Sequence, residues 1–204
     1  SGSFPLPIGL DQVLSDFVAK GTVTRNELAL SEVEVRGFGG RLLGSMRLRW
    51  SDSWSLDGAF TARQLDVATL AAPLLAAGSL DGKAAYSMRA TSPARLLANA
   101  RLEGSFIVQK GSIANIDMTR LLQGSSSSGT TAFTDMSGGV VADSNRVSVR
   151  QIRLAAGLMN GTGQVDMDSQ SRLSGRLQLE LRSAGARATL MVGGTLQTPQ
   201  YRRN

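Results

Sequence analysis

Four short stretches of this chain carry residue types whose spacing approaches known chemistry. Gly78-Ser79-Leu80-Asp81-Gly82-Lys83 places two glycines before a lysine. That arrangement can wrap backbone N–H groups around a phosphate. A phosphate loop needs four residues between its glycines and a hydroxyl after the lysine; here there are three, and Ala84 follows. Asp166, Asp168 and Gln170 set oxygen ligands at alternate positions, as a calcium loop does. The sixth position is Ser171 instead of glycine and the twelfth is Leu177 instead of glutamate, so a hairpin turn is the expectation. Glu32 and Glu34 share one face of a strand-like segment, the minimum for acid–base work by paired carboxylates. Asn160-Gly161-Thr162 matches a glycosylation sequon and equally fits a glycine-bearing strand.

Histidine and cysteine are both absent. Histidine-based nucleophile pairs and general bases, most zinc sites, thiolate metal centres and disulfide frameworks are therefore excluded. No Gly-x-Ser-x-Gly elbow occurs. The chain is read as a non-enzyme without a metal or cofactor.

The elements that must position any site are strands. In Arg41–Trp50, Leu42, Gly44, Met46, Leu48 and Trp50 alternate with Arg41, Ser45, Arg47 and Arg49. Trp54–Ala62 repeats the alternation with Leu56, Gly58 and Phe60 on its apolar side. Leu80–Met88, Leu102–Val108 and Leu173–Leu179 repeat it again, with Gly82, Gly104 and Gly175 in the apolar column. Period-two alternation means a strand with one wet and one dry face. A glycine in the dry column gives up packing area, so curvature or the close approach of another group must be gained there. The expected fold is mainly β: a strongly curved antiparallel β-meander forming a taco-like groove, with a few short α-helices.

The larger members of the apolar column are Leu56, Phe60, Tyr86, Met88, Phe106, Val108, Val149, Leu154, Met159, Val165, Leu177, Leu179, Leu190 and Val192. Two readings stand side by side. They form a closed core under the short helices, or part of the column lines an open trough for acyl chains.

Leu10, Val13, Leu14, Phe17 and Val18 follow helical spacing before Gly21, which predicts an amphipathic helix over residues 10–20 within an N-terminal segment 1–21. Asp66 and Asp117, 51 residues apart, each stand between apolar residues after a strand. Each predicts an N-cap, for helices over residues 67–77 and 118–122. Ser92-Pro93 opens a third over residues 94–98. Residues 123–130, Gly-Ser-rich at the centre, predict a mobile loop. One β domain accounts for all 204 residues. No stretch reaches the ~18 apolar residues that span a membrane. Ser1-Gly2-Ser3 resembles a cloning remnant, so the expectation is a portion excised from a longer membrane-anchored protein.

The net charge is +6, with 19 arginines and three lysines. The arginines fall on wet faces, where they keep strand edges soluble. Their excess reads either as genomic composition or as attraction to anionic headgroups. They are not clustered with aromatics, so nucleic acid is not an expected partner.

From about Val33 onward the chain resembles the AsmA-like family of bacterial envelope proteins. Gly39-Gly40-Arg41-Leu42-Leu43-Gly44, then Trp54-Ser55-Leu56-Asp57-Gly58, then Leu65-Asp66-Val67 are similar to the family's first run of motifs. Gly104–Gly111 followed by Ile116-Asp117-Met118-Thr119-Arg120-Leu121-Leu122 is similar to its C-terminal signature. Thr130–Gly138, Gly161–Asp166, Leu173-Ser174-Gly175 and Gly193–Pro199 complete the order. The resemblance implies a periplasmic β-rich body anchored to the inner membrane by a helix absent from this chain. It also implies kinship with bridge-like lipid-transfer proteins of the chorein type, which carry phospholipid between inner and outer membranes. The expected partner is a phospholipid or other acyl lipid, with other envelope proteins as further partners. The alternative is an envelope scaffold or protein-docking module with a closed β core.

Overall fold

The computed structural model describes residues 4–5, 13–124, 128–183 and 185–204. The chain is mainly β, with 71% of residues in strands. Among the described residues thirteen strands follow one another in sequence order as an antiparallel meander that does not close into a barrel. They are β1 (Phe4–Pro5), β2 (Val13–Val23), β3 (Glu27–Gly37), β4 (Gly40–Trp50), β5 (Trp54–Asp66), β6 (Leu75–Ala90) and β7 (Arg101–Ile113). Then come β8 (Thr131–Asp143), β9 (Arg146–Ala156), β10 (Met159–Asp168), β11 (Leu173–Leu181), β12 (Ala186–Gly194) and β13 (Pro199–Arg203). The helices are α1 (Val67–Leu70) and α2 (Met118–Leu122), with 3-10 turns at Pro93–Arg95 and Leu97–Asn99.

Two compact units can be distinguished. The first comprises Ser1–Leu65, Asp81–Gly104 and Val141–Ser144; the second comprises Asp66–Leu80, Ser105–Val140 and Asn145–Asn204.

The expected helix over residues 10–20 is replaced by β2 from Val13 onward; residues 10–12 lie outside the described ones. An isolated helix of that length is marginal in water, because nucleation is costly. The ladder to β3, with Lys20 opposite Glu32 and Val23 opposite Leu28, satisfies the same backbone groups. Phe17 and Val18, assigned to a buried helical stripe, are 44% and 58% exposed. The expected helix over 67–77 shortens to α1. Proline has no N–H and its ring clashes with the preceding turn, so Pro73 bars extension, and β6 begins at Leu75. The helix over 94–98 appears as the two 3-10 turns. Strand β3 runs unbroken through Ser31, with a register shift against β4 between Leu30 and Val33. Strand β13, with proline at its first residue, has no alternation long enough to announce it. Residues 125–127 of the Gly-Ser stretch lie outside the described residues.

Both aspartates cap as expected. Asp66 Oδ1 accepts from the Ala68 N–H at 3.0 Å, and Asp117 Oδ1 accepts from the Arg120 N–H at 3.0 Å. The second cap is reinforced by Thr131, whose buried hydroxyl accepts from the Met118 N–H and donates to the Ile116 carbonyl. At the other end of α2, Arg203 Nη1 donates to the Leu121 carbonyl at 3.1 Å. A cation there satisfies an orphaned carbonyl of the last turn.

Candidate functional site

In the first unit, pairing stacks the apolar columns of β3, β4 and β5 into rows. Leu28 lies beside Leu48 and then Leu56; Leu30 beside Met46 and then Gly58; Val33 beside Gly44 and then Phe60; Val35 beside Leu42 and then Ala62. Glycine occupies one place in each of the two middle rows. A Cβ at Gly58 would stand 2.6 Å from the Tyr86 hydroxyl and 2.8 Å from its ring carbon. The Ser45 carbonyl oxygen would be met closer still, so the glycine makes room both for the backbone of β4 and for the aromatic ring. Tyr86 in turn donates to the Ser45 carbonyl at 3.3 Å and packs on Phe60 with ring centroids 6.3 Å apart. Burial, followed by the nearby Asp57 carboxylate, raises the Tyr86 pKa above the usual phenol value.

This apolar face is only partly covered. Leu56, Phe60, Tyr86 and Met88, with Leu42, Met46, Leu48, Trp50 and Trp54, are all half-buried. The fully buried apolar side chains of the unit are Val35, Phe38, Ala62, Leu65 and Leu96. At the β4–β5 turn Trp50 and Trp54 stack with centroids 6.0 Å apart, and Trp50 Nε1 donates to the Arg25 carbonyl. The opposite face is charged: Arg49 bonds Glu27 at 3.0 Å and approaches Asp57 at 3.7 Å, while Arg47 approaches Glu27 at 3.9 Å.

The second unit carries the same sequence pattern with a different outcome. Leu154, Gly161, Leu179 and Ala188 form one row across β9 to β12; Ile152, Gly163, Leu177 and Leu190 form the next; Val149, Val165, Gly175, Val192 and Tyr201 form the third. Again each glycine seats a neighbour. A Cβ at Gly163 would run into the Arg176 carbonyl and stand 2.8 Å from a Leu177 methyl, and one at Gly175 would stand 2.6 Å from the Gln164 carbonyl and 2.8 Å from a Val165 methyl. Here the rows are sealed. Val108, Leu154, Met159, Leu177, Leu179, Leu190 and Val192 are buried in one cluster with Val67, Met118, Leu121 and Leu122 of α1 and α2. Phe106, Val149 and Val165 pack against it, half-buried. Of the fourteen residues read from the sequence as one apolar column, four thus lie on the partly open face of the first unit. The other ten lie in or against the closed cluster of the second.

The stretches singled out for chemistry have structural employment. Gly78 lies in β6, where a Cβ would meet a Val108 methyl at 2.7 Å. Glu32 is held by Lys20 at 2.9 Å, which raises the lysine pKa. Asp168 accepts from the Gln170 and Arg172 N–H groups and from Arg172 Nε, closing the β10–β11 turn; these bonds lower its pKa. Asp166 is held by Arg146 at 2.7 Å and by the Ser148 hydroxyl, and both bonds lower its pKa. Asn160 Oδ1 accepts from Arg182 at 3.0 Å. Among the described residues no group of three or more acidic side chains is placed to hold a metal ion. No helix among them is long and apolar enough to cross a membrane.

Compared with protein-family models, curated proteins and solved structures, the chain shows no match. The reading of this protein therefore rests on its residues and their geometry.

Proposed function

We propose that this chain is a lipid-binding β segment of a periplasmic protein anchored to the bacterial inner membrane, akin to the AsmA-like family. It would hold phospholipid acyl chains during passage between inner and outer membranes. The observation that carries the reading is the half-buried apolar face of the first unit. Rows of Leu, Met, Phe and Trp side chains there keep solvent contact that an acyl chain would remove. Each Å² of apolar surface so covered contributes about 25 cal/mol. No titratable cluster is needed for such binding, and the headgroup would remain in water beside the arginines.

The sealed core of the second unit favours a second reading for that part: a scaffold or docking module that contacts other envelope proteins. A photo-crosslinker at Phe60, combined with native mass spectrometry, distinguishes the two. Lipid captured at Phe60, with phospholipid retained through purification, is the expected result. Protein crosslinks only, with no lipid retained, would leave the scaffold reading.

A further inference from the structure

The outward face of β9 to β12 is polar and exposed, and the lipid reading makes no use of it. An open depression of about 650 Å³ is lined by Thr162, Gln164, Arg176, Gln178 and Met191, with Asp166 at its edge held by Arg146. A second of about 480 Å³ shares Thr162 and Gln178 and adds Asn160 and Thr189. Thr162 stands opposite Gln178, which stands opposite Thr189; Gln164 stands opposite Arg176, which stands opposite Met191. The side chains are therefore ordered in rows that cross the strands.

The charge of this face is one-sided. Its carboxylates are already engaged: Asp166 by Arg146, Asp168 by Arg172, and Glu180 by Arg187 at 2.8 Å. Arg176, Arg153 two strands away opposite Thr162, and Arg202 opposite Met191 have no ion pair or side-chain hydrogen bond among the described residues. A ligand placed here meets uncompensated guanidinium groups beside neutral amides and hydroxyls. Guanidinium binds carboxylate or phosphate in a fork, and amides match the paired donors and acceptors of hydroxyl groups. Strand spacing supplies a ruler. Within a row, side chains on adjacent strands stand about 4.8 Å apart, close to the length of one pyranose unit.

We propose that this face binds an anionic polysaccharide, laid across β9 to β12, with its acid groups on Arg176 and Arg153 and its hydroxyls on Thr162, Gln164 and Gln178. It does not rest on the lipid reading, which uses the apolar face of the first unit, whereas this face belongs to the second.

Calorimetric titration of the whole chain with hexagalacturonate, a carboxylated oligosaccharide, tests it. Saturable binding is expected, weakened about tenfold by Arg176→Gln or Arg153→Gln and similarly by Gln178→Ala. All three residues are exposed, so the variants retain the fold. Absence of saturable binding would overturn the proposal. So would binding of inorganic polyphosphate as tight as the sugar and indifferent to Gln178→Ala, since charge alone would then suffice. Capture of phosphatidylglycerol vesicles through Arg176, with no uptake of the oligosaccharide, would reassign the face to a lipid surface.

Discussion

Tyr86 lies over Gly58: a single carbon added at residue 58 would stand 2.6 Å from the tyrosine hydroxyl, which itself reaches the Ser45 carbonyl. The glycine is a seat for an aromatic ring, the same relation that Gly138 has with Phe106, at 3.2 Å in the second unit. Gly58→Val should displace the ring and destabilise the first unit by about 1–3 kcal/mol. Urea unfolding followed by tryptophan fluorescence reads this, because both tryptophans are in that unit. An unchanged midpoint would mean that neither the ring nor the Ser45 carbonyl restricts residue 58 to glycine.

The two apolar faces should respond differently to truncation. Leu190 is fully buried in the closed cluster, and Leu190→Ala should cost about 2–5 kcal/mol. Leu56 is half-buried, and Leu56→Ala should cost about 1 kcal/mol. Equal losses in denaturant titrations would mean that the first unit's face is as well packed as the second's.

Acid should weaken the second unit through Asp166. Its pKa is lowered by Arg146 and then by Ser148, so the unfolded chain takes up this proton at a higher pH than the folded one. The stabilisation is complete above the ordinary carboxylate pKa of about 4 and is lost as pH falls through the lowered value. Asp166→Asn should therefore cost about 1–2 kcal/mol at neutral pH and nothing in strong acid. Stability curves for the two proteins that stay parallel through the acid range would contradict this.

Alkali tests Tyr201. Its hydroxyl is buried with no hydrogen-bond partner among the described residues, and burial pushes the pKa up to about 12. The neutral phenol is favoured by the fold, so this contribution is full below the ordinary phenol pKa of about 10 and lost as pH rises through the raised value. Phenolate absorbance should show the later of two titrations vanish in Tyr201→Phe, the chain having only two tyrosines. The variant should be as stable as the parent at neutral pH or slightly more so, because an unsatisfied hydroxyl is removed.

The alternation of apolar and polar residues in Arg41–Trp50 and Leu173–Leu179 determined which side chains share a face, since neighbouring residues on a strand must point to opposite sides. The caps at Asp66 and Asp117 were equally legible, because a carboxylate reaches only the next turn of its own chain. The segment over residues 13–20 was not, because its strand depends on a partner, β3, that local spacing does not report. Nor did spacing distinguish Leu56 from Leu177, which occupy equivalent places in equivalent patterns. The amino-acid order by itself thus settled the antiparallel strands, their dry faces and the helix caps, all of them interactions within or between adjacent stretches. Only the tertiary structure decided that one dry face is sealed beneath α1 and α2 while the other stays half in water. Burial is set by what packs on a surface, and that comes from residues distant in sequence.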